Sequence, residues 1–136
     1  MSAIGGGGAF ILPAGFSRIL GSLRGANFNV TTDQAIPILA GVTKFAVTGI
    51  YVTNASLSLT LAVGGFYPVA TKGGVPLVAA TQLYSALTSA TVLLPATLAA
   101  AALATAYAQS QLFFSLTTAQ GAAATADIYV AGLDLT

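Results

Sequence analysis

Hydrophobic and polar positions alternate over several short stretches of this chain. The clearest case is residues 56–63 (SLSLTLAV), where every second position is leucine or valine and the others are serine, threonine or alanine. A period of two places successive side chains on opposite faces of an extended chain, so this pattern predicts a β-strand. The pair Gly64-Gly65 follows at once and is expected to end that strand.

Further segments have the β-branched and aromatic composition of strands. These are residues 27–30 (NFNV), 44–54 (KFAVTGIYVTN), 66–70 (FYPVA), 75–80 (VPLVAA), 91–99 (TVLLPATLA), 111–118 (QLFFSLTT) and 125–135 (TADIYVAGLDL). Residues 35–39 contain Pro37, which restricts a strand there to a sheet edge or a bulge. Within 111–118, we expect Leu112, Phe114 and Leu116 to share one face.

Seven to nine short strands, divided by Gly, Pro, Asn and Asp, predict an all-β protein. We expect a single β-sandwich or jelly-roll domain over residues 16–136. Residues 16–25 (FSRILGSLRG) fit either a strand or a short helix, because Ile19, Leu20 and Leu23 have helical spacing but Gly21 lies between them.

The first fifteen residues (MSAIGGGGAFILPAG) have the composition of an arm instead of a folded element. Four consecutive glycines have large conformational entropy and no side chain to pack. We expect residues 1–15 to form an N-terminal arm that a neighbouring subunit holds. Phe10, Ile11 and Leu12 are its candidate apolar anchor.

The uncharged stretch 91–107 (TVLLPATLAAAALATAY) allows two interpretations. Its length suits a transmembrane helix, but it is mostly alanine and threonine, contains Pro95, and lacks the flanking Lys or Arg that orient such helices. We therefore favour a strand followed by an alanine-rich connection or short helix, and we expect no membrane partner.

Charged side chains are scarce in a way that restricts the chemistry of this protein. Only 5% of the residues are charged, and the sequence contains no His, Cys, Glu or Trp. Without cysteine there is no disulfide framework and no thiolate zinc site, and without histidine the usual base that activates a serine nucleophile is missing. Asp127 and Asp134 are seven residues apart, so they face opposite sides of a strand and do not form a glycosidase pair. We expect no enzyme activity, cofactor or catalytic metal, while a calcium ion shared between subunits stays open.

The scarcity of charge also indicates which kinds of partner the protein can bind. A net charge of +1 gives no electrostatic footprint for nucleic acid. Residues 45–52 are apolar on both strand faces, whereas a lone antiparallel sheet has a polar outer face. A second burial surface, such as a symmetric oligomer provides, explains this pattern.

Two basic residues near the arm are candidates for contact with a partner. Arg18 and Arg24 suit pairing with acidic groups of another subunit, because the guanidinium is a planar fork; ion pairs within the chain are the alternative. The five tyrosines fit core or interface packing better than a sugar-binding face, because nothing in the sequence clusters them.

Two hairpin-like regions of the sequence resemble small structural proteins encoded in the head-gene modules of tailed bacteriophages. The resemblance lies in TTDQAIPI (31–38), FAVTGIYVTNASLSLTLAVGG (45–65) and LFFSLTTAQGAAATADIYVAGLDL (112–135), which together make up 53 of the 136 residues. It implies a capsid decoration or cement protein that binds the major capsid protein on the outer surface of the virion, as a homotrimer whose arms reach neighbouring subunits. The alternative hypothesis is a receptor- or carbohydrate-binding module of a phage spike, fibre or tail.

Overall fold

The computed structural model describes residues 17–136, and these form an all-β domain with one short helix. The predicted fold class is confirmed. The strands and the helix are β1 (Ser17–Asn27), β2 (Gln34–Pro37), β3 (Phe45–Thr53), β4 (Val63–Tyr67), β5 (Leu94–Pro95), α1 (Ala100–Leu103), β6 (Gln111–Thr118) and β7 (Thr125–Asp134).

The strands form two antiparallel sheets with the connectivity of a jelly roll. One sheet has the order β1-β7-β3-β5 and the other β2-β6-β4, so every strand-to-strand connection crosses from one sheet to the other. An eight-stranded jelly roll has four strands in each sheet. Val78 forms a bridge with Phe66 on the free edge of β4 and so occupies the position of the missing eighth strand.

The core lies between the two sheets and is centred on aromatic rings. Leu112, Phe114 and Leu116 of β6 are all fully buried, as their alternation predicted. The ring of Phe114 lies 4.8 Å from that of Phe28 and 5.1 Å from that of Phe66, measured between centroids. Tilted pairs at this spacing add to the free energy of burial. Phe66 and Phe114 are paired within the three-stranded sheet, so these contacts fix Phe28, in the segment after β1, against that sheet.

The strand predicted at residues 56–63 is wrong. Only Val63 belongs to a strand, and the leucines before it do not share a face: Leu59 is buried, whereas Leu57 and Leu61 are exposed. The reason is a distant side chain. The carboxamide oxygen of Gln120 accepts hydrogen bonds from the backbone N–H groups of Leu61 (3.0 Å) and Ala62 (3.1 Å), which holds this segment as an irregular loop.

Gly64 and Gly65 lie inside β4 and do not end a strand. A Cβ atom on Gly65 would lie 2.3 Å from the carbonyl oxygen of Val78, and one on Gly64 would lie 2.4 Å from the Cα of Leu116. Glycine is therefore required here because neighbouring backbone approaches closely.

Three other segments differ from or complete the predictions. The ambiguous residues 16–25 belong largely to strand β1, which ends at Asn27, so the strand predicted at 27–30 is wrong. Phe28 instead enters the core, with its N–H donating to the carbonyl of Ala124. Pro37 ends β2 at a sheet edge, as predicted.

Residues 91–107 form the two-residue strand β5 followed by the four-residue helix α1. This agrees with the strand-and-short-helix interpretation. No helix within residues 17–136 has the length and hydrophobicity that a membrane crossing needs.

Candidate interaction surface

Both candidate arginines form ion pairs within the chain. At one corner of the four-stranded sheet, Arg18 donates from Nη2 to Oδ2 of Asp134 at 3.0 Å. At the other end of the same sheet, Nε of Arg24 lies 3.6 Å from Oδ2 of Asp127. Ion pairs within the chain are the alternative that the sequence left open, and the structure contains them. A contact of these arginines with a partner stays a prediction.

Asp127 connects three strands of the four-stranded sheet. Its Oδ1 accepts the backbone N–H of Gly25 at 2.7 Å, and its Oδ2 accepts the side-chain amide of Asn54 at 3.1 Å. Three donors around one largely buried carboxylate explain how the domain tolerates this charge. The role of Asp127 within the chain is therefore to join β7 to β1 and to Asn54, the residue that follows β3.

Asp134 is held as an anion by its neighbours. Hydrogen bonds from the hydroxyl and the backbone N–H of Thr136, with a further contribution from Arg18, lower the pKa of this carboxyl below its ordinary value of 3.8. Asp127 and Asp134 lie near opposite ends of β7 and bind different partners.

A hairpin tip at residues 69–73 contacts the remaining acid, Asp33, and carries Lys72, one of the two remaining cations. Lys72 donates from Nζ to the carbonyl oxygen of Thr31 at 3.0 Å, and the N–H of Thr71 donates to the carboxylate of Asp33. Thr71 and Lys72 have φ values of 58° and 54°, which side-chain-bearing residues rarely adopt. Within residues 17–136, no group of three or more His, Cys, Asp or Glu side chains is placed to hold a metal.

Three of the five tyrosines lie in the interior of the domain. Tyr67, Tyr84 and Tyr107 are buried, and the hydroxyl of Tyr84 donates to the carbonyl of Gly64 at 3.0 Å. Burial raises the pKa of Tyr84 well above its ordinary range. Tyr51 and Tyr129 are half-buried register partners on the solvent side of the four-stranded sheet.

The solvent side of β1, β7 and β3 is a regular sheet surface, and we call it the outer face. The residues that face away from the core are Ser17, Ile19 and Ser22 on β1; Tyr129, Ala131 and Leu133 on β7; and Ala46, Gly49 and Tyr51 on β3. The ring of Tyr51 covers Gly49 closely, since a Cβ atom built on this glycine would lie 2.6 Å from the tyrosine oxygen. Ile19 is 47% exposed at the edge of this face.

Large apolar side chains are exposed both on the outer face and on other parts of residues 17–136. The ten with substantial exposure are Ile19, Leu39, Leu57, Leu61, Val69, Val75, Leu83, Leu93, Leu103 and Leu135. Leu57 and Leu61 project from the loop that Gln120 holds, and sequence reasoning missed them because it placed both on a buried strand face. The sequence feature that could have indicated this loop is the pair Gln120-Gly121, which follows a strand with alternating residues. Such a pair is equally typical of a turn.

The predicted arm of residues 1–15 and its anchor Phe10, Ile11 and Leu12 lie outside the described residues, so those predictions are not tested. No protein-family model, curated protein or solved structure matches this chain.

Proposed function

We propose that this protein is a virion structural protein that decorates the outer surface of a capsid and cements it. The partners would be the major capsid protein and further copies of the same chain, arranged as a homotrimer. The observation that supports the proposal is the composition of the exposed surface, which has few free charges and many apolar side chains. Within residues 17–136, two arginines and two aspartates neutralise each other, while ten large apolar side chains are exposed.

Such a surface suits a protein that is covered by others. Soluble domains usually have about 25% charged residues, against 5% here. Exposed apolar side chains mark protein–protein contacts when they are numerous. Jelly rolls occur in viral capsid domains, which adds support, although a fold alone does not define a function.

The mechanism would be that of a clamp. Apolar area buried between subunits stabilises the assembly by roughly 25 cal/mol per Å² before the cost of ordering is subtracted. Each copy that touches two capsomers gains further through effective concentration, because its second contact is intramolecular. No catalytic group, cofactor or nucleic acid is needed for this role.

Heating purified heads of the virus that encodes this chain tests the proposal. Heads from which the gene has been deleted should break at a lower temperature than complete heads, and added purified protein should restore the difference. Serum albumin at the same mass concentration is the control. Identical disruption temperatures would overturn the cementing role, and absence of the chain from purified heads would overturn the assignment to the virion.

The receptor- or carbohydrate-binding alternative has less support from the geometry. Sugar sites commonly use exposed aromatic rings that stack on the ligand, and Tyr67, Tyr84 and Tyr107 are buried. Tyr51 and Tyr129 lie on a sheet face beside small residues and not on a loop cluster.

A further inference from the structure

The outer face has a size pattern that repeats in opposite order on its two neighbouring strands. Residues paired across an antiparallel ladder point to the same side of the sheet. Along β1 the outward residues are small, large, small: Ser17, Ile19 and Ser22. Their register partners on β7 are large, small, large: Leu133, Ala131 and Tyr129.

This opposite order makes the face complementary to itself. We infer that two copies of this chain pack outer face to outer face about a two-fold axis that runs along the strands, midway between β1 and β7. Such an axis places β1 of one copy over β7 of the other. Each large side chain then lies opposite a small one, so that Ile19 of one copy fits the notch above Ala131 of its partner.

The charges at the end of the face agree with the same symmetry. Arg24 lies in the bulge of β1 between Leu23 and Ala26, and Asp127 is the acidic residue beside it on β7. The two-fold operation brings Arg24 of each copy over Asp127 of the other. Each Arg24–Asp127 pair is already formed within its own chain, so two neutral pairs meet at this end with unlike charges facing each other. The rest of the interface contains apolar and hydroxyl side chains that suit an interface core.

The area involved indicates a weak contact. Ten residues of β7 span roughly 34 Å, and two strands are about 10 Å wide. Two copies therefore cover a flat footprint of roughly 700 Å² in total, which is below the size of a stable interface. Association in solution should need high concentration, whereas copies already held on a shell would form it readily through effective concentration.

This contact is distinct from the proposed trimer. A two-fold operation joins copies in pairs and cannot close a ring of three. On a shell it would join copies that belong to neighbouring trimers. The inference is testable on the purified full chain without any capsid, so its failure and that of the cementing role are separate results.

Sedimentation over a concentration series measures the pairing. The wild-type mass should rise with concentration, whereas Ile19→Lys should stay at the dilute-solution value. Leu83→Lys is the matched control, because Leu83 is 59% exposed and bridges β4 of the other sheet. Its mass should follow the wild type. Circular dichroism and the melting temperature verify that each variant is folded.

A size swap gives a stricter test of the register. Ile19→Ala alone should weaken pairing at least tenfold, and the double variant Ile19→Ala with Ala131→Ile should recover most of it, because the large and small positions are exchanged in both copies. A wild-type mass independent of concentration, or an Ile19→Lys variant that pairs normally, would overturn the inference.

A photoreactive benzophenone amino acid in place of Ile19 identifies the occupant directly. Cross-links to the region of Ala131 in a second copy would support the two-fold contact. Cross-links to Phe10–Leu12 of the same chain, or to a different protein on intact heads, would overturn it in favour of that occupant.

Discussion

At the scale of single residues, close backbone approaches decide several positions in this protein. Gly65 is the clearest, since the carbonyl of Val78 and the backbone of Ala79 occupy the space that a side chain would need. Gly41 differs, with a φ of +88° and open space around it. The two glycines are required for different reasons, one steric and one conformational.

Gly65→Ala should therefore destabilise the protein by about 1–3 kcal/mol or more, because the backbone of β4 has to move away from residues 78–79. Gly41→Ala, the matched control, should cost only about 1 kcal/mol from its left-handed backbone. Urea unfolding of both variants measures the difference. A Gly65→Ala variant no less stable than Gly41→Ala would contradict the steric explanation.

Asp134 allows a prediction on pH dependence. Its pKa is lowered in the folded state by Thr136 and Arg18, so the stability that it contributes is present above its unfolded pKa, near 3.8, and is lost as the pH falls through the lower folded value. Thr136→Ala should raise the pKa of Asp134 towards 3.8. Carboxyl NMR shifts followed against pH report it, with Thr118→Ala as the control. An unchanged titration would show that the Thr136 hydroxyl has no part in the shift.

At the scale of elements, a buried side chain determines the form of a loop. Gln120 is 59 residues distant from Leu61 in sequence, yet its carboxamide binds the backbone of Leu61 and Ala62 and donates to the hydroxyl of Thr60 at 3.2 Å. These bonds replace a strand ladder. They also leave Leu57 and Leu61 exposed at one end of the sandwich.

Gln120→Met keeps the volume of the side chain and removes its acceptor. We expect a loss of about 1–3 kcal/mol for each backbone N–H that is left buried without a partner. Gln82→Met is the control, because the carboxamide oxygen of Gln82 accepts a single hydrogen bond, from the N–H of Thr97, at an exposed site. Urea midpoints measure both variants, and hydrogen exchange at Leu61 and Ala62 should accelerate in Gln120→Met alone. Equal stability of the two variants would contradict the role of Gln120.

At the scale of the whole molecule, neutralisation within the chain leaves association to apolar contact. Arg18 and Arg24 are both paired with aspartates of the same chain. What the surface offers to other proteins is mainly leucine, isoleucine, valine and hydroxyl groups. Contacts of this kind respond to solvent differently from contacts between charges.

Self-association should therefore change little between about 0.05 and 0.5 M sodium chloride. Salt over this range weakens the attraction between exposed charges, but contact between apolar side chains does not depend on that attraction. Ammonium sulfate should strengthen it, because excluded salts favour apolar burial. Sedimentation in each buffer measures the effect. A strong decrease of association with sodium chloride would show that ion pairs dominate instead.

The sequence by itself determined the class of the fold and several of its strands. Period two and turn residues are local properties, and they placed β6 and β7 correctly and put Pro37 at an edge. The scarcity of charge was equally visible in the composition. From these alone came the expectation of a surface covered by other proteins.

The tertiary structure decided what depends on residues that are distant in sequence. The strongest alternation, at residues 56–63, did not become a strand, because Gln120 supplies hydrogen bonds that no local pattern reveals. The partners of Arg18 and Arg24, each more than 100 residues away, were undetermined for the same reason. The opposed size order of Ile19 and Ala131 exists only once the register of β1 and β7 is set, since complementarity belongs to paired strands and not to either strand alone.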